Sequence, residues 1–130
     1  MTVGRIEPQR KLAEGSMHTN ILVIEDDPLV AMMLEEYLEA LGGAVAGNAD
    51  NVTSALAIIN SETIDAAIVD IHLANGETSV LIAESLRARN IPFAIVTGGF
   101  FAPPDAAFAG RPVLLKPFTF ASLEEALSKL

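Results

Sequence analysis

The chain has 130 residues, of which 51% are hydrophobic, and we expect one folded domain with a substantial core. The formal charge of −9 disfavours binding to a nucleic-acid backbone, and the lack of cysteine excludes disulfides and thiolate metal sites. No apolar stretch is long enough to cross a bilayer and no secretory signal is apparent, so we expect a cytoplasmic protein without a membrane partner.

Residues 1–19 show neither helical nor strand periodicity, and we predict a flexible tail followed by one domain over residues 20–130. The step Gly15-Ser16-Met17 resembles a cloning junction before a native start at Met17. Such an origin would exclude the tail from any argument about the fold.

Beyond the tail, short apolar runs alternate with segments of helical periodicity. Strands are predicted at residues 21–24, 45–47, 66–69, 93–96 and 113–115. Helices are predicted at about 28–41, 51–60 and 79–88 and within 118–130. This alternation predicts an α/β fold with right-handed crossovers, in which a flavodoxin-like, doubly wound parallel sheet has five strands in the order 2-1-3-4-5.

The helices should each turn one apolar stripe towards the sheet. For the first helix that stripe comprises Leu29, Met32, Met33, Tyr37, Leu38 and Leu41. For the third helix it comprises Val80, Leu81, Ala83 and Leu86.

A fourth helix is expected between residues 98 and 111, but the glycines and prolines of this segment disfavour it. We therefore predict an irregular or shortened helix, at most over residues 105–109.

Polar side chains follow four of the predicted strands. Glu25 and Asp26 follow the first strand, Asp70 the third, Thr97 the fourth and Lys116 the last. The carboxyl ends of parallel strands meet at one rim of the sheet, where open α/β folds place their chemistry. Three carboxylates gathered there favour a hard cation such as Mg²⁺, and a carboxylate can also act as a nucleophile towards phosphorus.

The next residue, Asp27, is better placed to support the start of the first helix, just before Pro28, than to bind a metal.

These residues carry a resemblance to the receiver domain of two-component response regulators. The matching motifs are Ile-Leu-Val-Ile-Glu-Asp-Asp-Pro (21–28), Ala-Ala-Ile-Val-Asp (66–70), Thr97 after a strand, and Lys116-Pro117-Phe118. Each motif is weak alone, but four in this order and spacing are specific. The resemblance covers residues 20–130 and implies a phosphoacceptor that signals through protein–protein contacts.

The resemblance also implies roles for single residues. Asp70 would accept the phosphoryl group, Asp26 would bind Mg²⁺ directly, Glu25 would act through water and His72 would offer its backbone carbonyl. An isolated histidine in a loop is otherwise rarely a metal ligand, and a role for its imidazole is not expected.

Further implied roles belong to the last two strands. Thr97 would be the switch hydroxyl, Lys116 would hold a phosphoryl oxygen, and the Lys116–Pro117 bond would be cis. The sequence departs from the family pattern in two places. Val113 stands where receivers usually have the aromatic residue that rotates, and Ala74 stands where they have a proline.

Residues 95–100, Ile-Val-Thr-Gly-Gly-Phe, resemble the Phe-Ala-Thr-Gly-x-Tyr signature of an atypical receiver subgroup. Members are often free-standing and pair with sensor histidine kinases of the HWE or a related type. We expect residues 98–111 to be mobile and to order on phosphorylation, with Phe100 or Phe101 replacing the missing aromatic switch.

The expected partners are a histidine kinase and an output or histidine phosphotransfer protein, contacted by a monomer through residues 98–111, the last strand and the last helix. Enzymatic activity beyond self-phosphorylation and autodephosphorylation is not expected.

Two alternatives stay open. One is a phosphatase of the haloacid dehalogenase type, although His72 stands where that family has a second aspartate. The other is a receiver cut from a longer regulator.

Overall fold

The computed structural model describes residues 20–98 and 105–130. Within these residues there are five strands: β1 (Asn20–Ile24), β2 (Ala44–Ala49), β3 (Ala66–Asp70), β4 (Phe93–Thr97) and β5 (Val113–Leu115). They alternate with helices α1 (Pro28–Ala40), α2 (Val52–Ser61), α3 (Val80–Ala88) and α4 (Phe120–Ser128). Two short 3₁₀ turns occupy Ala74–Gly76 and Ala106–Phe108.

All strand pairs are parallel, and the sheet order is β2-β1-β3-β4-β5. The registers place Val23 beside Ile68 and Ile68 beside Ala94, so the central strands end at nearly the same level. The predicted doubly wound α/β fold and its strand order are confirmed. This shared level makes a rim from the residues that follow each strand.

Both faces of the sheet are buried, and the central strands are accordingly apolar except at their ends, where Asn20, Asp70 and Thr97 lie. One face packs against α2 and α3 through Ala55, Ile59, Ile82 and Leu86. The other packs against α1 and α4 through Leu34, Leu38, Leu123 and Leu127.

Part of the predicted helix packing was wrong. Leu29, Met32 and Leu81 are 71%, 49% and 59% exposed. In α1 the small side chain of Ala31 faces the sheet together with Leu34 and Leu38, which rotates the buried stripe away from the larger residues. The other residues of the predicted stripe do pack on the core: Leu38 is buried, and Met33, Tyr37 and Leu41 are partly buried against it.

Helix ends follow local chemistry. Asp27 caps α1 by accepting a hydrogen bond from the backbone N–H of Leu29, which confirms its predicted role. After α1 the chain turns at Gly42, whose φ of +92° suits glycine.

The part of residues 98–111 that the structure describes contains one 3₁₀ turn at Ala106–Phe108, in agreement with a shortened fourth helix. Phe100 and Phe101 lie outside the described residues, as does the predicted tail. Within residues 20–98 and 105–130, no helix combines the length and apolarity that crossing a membrane requires.

Candidate functional site

The ends of β1 and β3 bring three carboxylates together. Glu25 and Asp26 follow β1, and Asp70 is the last residue of β3. One carboxylate oxygen from each of the three lies within 4.8 Å of the others. The convergence predicted from the strand ends is therefore present in the described structure.

Lys116 lies between two of these carboxylates. Its Nζ donates to Asp70 Oδ2 at 3.0 Å and to Glu25 Oε2 at 3.1 Å. Its backbone N–H donates to the carbonyl of Thr97 at 2.8 Å, which joins the ends of β4 and β5. The Lys116–Pro117 peptide is cis, as expected from the resemblance. We call Glu25, Asp26, Asp70, Thr97 and Lys116 the acidic rim.

Thr97 contributes a hydroxyl that has no partner among the described residues. The residue is 1% exposed and ends β4, next to Asp70 of β3, whose register partner is Val96. A buried hydroxyl without a hydrogen bond costs free energy, so such a group is expected to find a partner when a ligand arrives. Thr97 can thus donate to an oxygen that is added at Asp70.

The charges of the acidic rim perturb one another. Burial raises the pKa of Glu25 to about 7, the backbone N–H of Asp27 opposes this, and the nearby charge of Asp70 reinforces it. For Lys116, burial lowers the pKa, but the hydrogen bonds and charges of Asp70 and Glu25 outweigh it and leave a net increase. Lys116 is therefore firmly cationic at neutral pH.

The donor set fits a hard divalent cation. Glu25 Oε1 is buried and has no hydrogen-bond partner among the described residues, whereas Asp26 is open to solvent. Glu25 thus offers a buried oxygen and Asp26 an exposed carboxylate. Together with Asp70, they leave room for water molecules, which Mg²⁺ retains when it binds a protein. A cation here would also favour the ionised form of Glu25, because an opposite charge lowers a carboxyl pKa.

His72 lies two residues beyond Asp70, in the loop that leads to α3. Its backbone N–H donates weakly to Asp70 Oδ1, at 3.4 Å, and its side chain is exposed. Among the described residues, no contact directs the imidazole towards the acidic rim.

Sequence reasoning missed one residue that anchors this loop. Glu77 accepts a hydrogen bond from the backbone N–H of Val52, the first residue of α2, at 3.0 Å. Its own backbone carbonyl accepts from Leu73 at 2.8 Å. The two residues Glu77 and Val52 are separated by 25 positions, so no local pattern marks the contact.

The comparisons agree with this geometry. Residues 21–128 match the model of the response regulator receiver domain. The phyllosphere-induced regulator PhyR of Methylorubrum extorquens is 35% identical over 130 residues, which cover 95% of this chain and 47% of PhyR. The transcriptional regulatory protein MalR of Bacillus subtilis is 30% identical over 115 residues, which cover 84% of this chain and 48% of MalR. The chain spans about half the length of the curated relatives it matches.

Solved structures include a relative of similar length. The solution structure of SdrG from Sphingomonas melonis Fr1 has a TM-score of 0.78 and 48% identity, over 86% of this chain and 95% of SdrG. The BeF3-activated conformation of SdrG has a TM-score of 0.73 and 49% identity, over 85% of this chain and 94% of SdrG.

Proposed function

We propose that this chain, which belongs to the response regulator receiver domain family, accepts a phosphoryl group on Asp70 from the phosphohistidine of a sensor kinase. The observation that carries the proposal is the shared Lys116 ammonium, which lies 3.0 Å from Asp70 and 3.1 Å from Glu25 beside a buried, unpartnered Thr97 hydroxyl. Family membership supports the same conclusion. It also favours a phosphoacceptor over a haloacid dehalogenase-type phosphatase.

The residues of the acidic rim divide the transfer between them. An oxygen of Asp70 attacks phosphorus while the bond from phosphorus to the donor imidazole nitrogen breaks, and that nitrogen keeps the electron pair and takes up a proton. Lys116 offers its ammonium to one phosphoryl oxygen and Thr97 its hydroxyl to another. Both groups are held by the same backbone hydrogen bond between Lys116 and Thr97.

A bound Mg²⁺ would offset the charge of the phosphoryl oxygens. We propose that Asp26 and Asp70 bind it directly, Glu25 through water, and His72 through its backbone carbonyl. The unpartnered Glu25 Oε1 and the 4.8 Å grouping of the carboxylates support this set. Autodephosphorylation would then be the only other reaction of the domain.

The switch of this receiver would differ from the usual one. Position 113, on the edge strand β5, is occupied by a valine that is 46% exposed. It therefore provides no aromatic ring that could rotate inward. We propose that Thr97 moves towards the phosphoryl group and pulls on residues 98–111, which order on phosphorylation. Phe100 or Phe101 would then change its exposure.

The domain would span residues 20–130, after a tail over residues 1–19. A kinase of the HWE or related type is the proposed donor, with an output or phosphotransfer protein as a further partner. The likeness of residues 95–100 to the Phe-Ala-Thr-Gly-x-Tyr signature supports this choice. Leu29 and Met32 are exposed on α1, the helix that begins beside the rim, and would contact the donor.

Mass spectrometry after incubation with acetyl phosphate and Mg²⁺ tests the proposal. The wild type should gain about 80 Da, the mass of one phosphoryl unit added to a carboxylate, and EDTA should suppress the gain. Asp70→Asn should show no adduct.

Asp50→Asn is the matched control, because Asp50 is an exposed aspartate that follows β2 at the same edge of the sheet. This variant should be modified like the wild type. An adduct that persists in Asp70→Asn, or none in a folded wild type with Mg²⁺, would contradict the assignment.

A further inference from the structure

Three arginines lie near the amino ends of the strands, at the opposite end of the sheet from the acidic rim. Arg87 and Arg89 are at the C-terminal end of α3, and Arg111 comes two residues before β5 begins. Arg87 reaches the carbonyl of Ala109, close to Arg111, whereas Arg89 contacts Asn60 of α2, so we call Arg87 and Arg111 the arginine cluster. Besides these three arginines, the only lysines or arginines among the described residues are Lys116 and Lys129.

Within residues 20–98 and 105–130, the arginine cluster has no acidic partner. The chain contains 17 aspartates and glutamates, yet within the described ranges none of them forms a salt bridge with Arg87, Arg89 or Arg111. Lys116 and Lys129, in contrast, each form a salt bridge with a glutamate. Cations that remain unpaired in so acidic a chain are available to carboxylates from outside it.

The guanidinium groups are held in place by neutral contacts. Arg111 lies over the ring of Phe93, 4.5 Å from its centroid, and its Nε is buried without a partner in the described structure. Arg87 donates to the carbonyl of Ala109 at 3.1 Å, and Arg89 donates to the side-chain oxygen of Asn60. These contacts reduce the freedom that each side chain would lose on binding.

The positive charges of Arg87 and Arg111 also act on each other. Burial lowers the pKa of Arg111, and the neighbouring charge of Arg87 lowers it further, so the two groups are close enough to repel. An external carboxylate that approached both would relieve this repulsion. The planar fork of arginine can bind such a carboxylate through two hydrogen bonds.

We infer that the arginine cluster is a docking site for an acidic segment of a partner protein. The chain as a whole, with its formal charge of −9, would repel such a segment, so binding would be directed to this one position. A nucleic acid fits less well, because its backbone calls for a broad basic stripe and these arginines form a small cluster. The inference goes beyond the phosphoacceptor function and does not depend on it.

Titration with short labelled peptides tests the inference on the full chain. The probe alternates Glu and Ser, and its matched control alternates Gln and Ser. Nuclear magnetic resonance of the wild type should show amide shifts at Arg87 and Arg111 with the Glu peptide alone. Binding should weaken as the salt concentration rises through about 0.1 M, where the screening length is about 10 Å.

The double substitution Arg87→Gln/Arg111→Gln should lower affinity for the Glu peptide about tenfold, whereas Lys129→Gln should leave it unchanged. A paired Arg87→Lys/Arg111→Lys variant keeps the charge and should retain part of the affinity. If the Gln variant does not fold, the shift map of the wild type and the Lys variant decide the question.

Equal affinity for the two peptides, including no binding to either, would overturn the inference. Shifts confined to the surroundings of Lys116 would do the same. So would an oligonucleotide that binds more tightly than the Glu peptide and loses affinity in the Arg87→Gln/Arg111→Gln variant.

Discussion

The acidic rim and the arginine cluster lie near opposite ends of one sheet and treat charge in opposite ways. At the rim, one lysine serves two buried carboxylates, and the net charge of the group stays negative. At the cluster, two cations have only neutral contacts among the described residues. The rim is therefore partly neutralised from within the chain, and it should be most sensitive to the loss of Lys116. The cluster is left for a charge from outside, and its members should be dispensable for stability.

The largest effect should come from removing the shared cation. Lys116→Met leaves Glu25 and Asp70 buried side by side, and we expect the free energy of unfolding to fall by about 3 kcal/mol in EDTA at neutral pH. Urea unfolding followed by circular dichroism measures the change. Lys129→Met removes a surface lysine paired with Glu125 and should cost less than about 0.5 kcal/mol. Equal losses in the two variants would contradict the comparison.

The next effect concerns pH. Because the pKa of Glu25 is raised from 4.5 to about 7, the folded state holds a proton that the unfolded state has released between these values. Without metal, the free energy of unfolding should therefore decrease from about pH 4.5 to about pH 7, by on the order of 2 kcal/mol from this residue. Unfolding in EDTA across this range should show a flatter profile for Glu25→Gln than for wild type. The exposed Glu36→Gln serves as the control and should leave the slope unchanged.

A smaller effect is expected where the loop after Asp70 meets α2. Glu77→Ala removes the acceptor for the backbone N–H of Val52 and should lower stability by about 1 kcal/mol. Hydrogen exchange of the Val52 amide should become faster at the same time. Glu84→Ala, on the exposed side of α3, should change neither quantity appreciably. Unchanged exchange at Val52 in the Glu77 variant would argue against this anchor.

The smallest effect should arise at the arginine cluster. Arg111→Gln loses the contact with the ring of Phe93, worth about 0.5 kcal/mol, but no carboxylate is left without a partner. Its stability should therefore stay close to that of the wild type in the same urea experiment. A loss comparable with that of Lys116→Met would mean that the cluster is a structural element rather than a surface left for a partner.

Much of the fold could be predicted because it depends on local pattern. The apolar runs ending at Ile24 and Val69 marked central strands, and the residues after them marked the carboxyl ends of those strands. The exposure of Leu29 and Met32 could not be predicted, because their burial depends on how α1 is rotated against the sheet. The periodicity of the helix is compatible with more than one buried stripe, and the stripe that includes Ala31 is the one that the structure buries.

The site was predictable to the level of which residues meet, but not of how they bond. Glu25 and Lys116 are 91 positions apart. To predict that one ammonium contacts two acids, the register of β1, β3 and β5 would have to be known. The contact of Glu77 with Val52 and the position of Arg111 over Phe93 are likewise tertiary. Pairings of this kind are set by packing, which a single sequence does not display.

Strand β4 connects the two regions directly, since Phe93 at its start supports Arg111 and Thr97 at its end belongs to the rim. At about 3.3 Å per residue, its five residues separate the two by about 13 Å. Salt screens charges less across a buried strand than through solvent. A dianionic group on the aspartate would thus still be felt at the far end, where residues 98–111 end at Arg111. Occupancy of the arginine cluster would then report on the state of the rim.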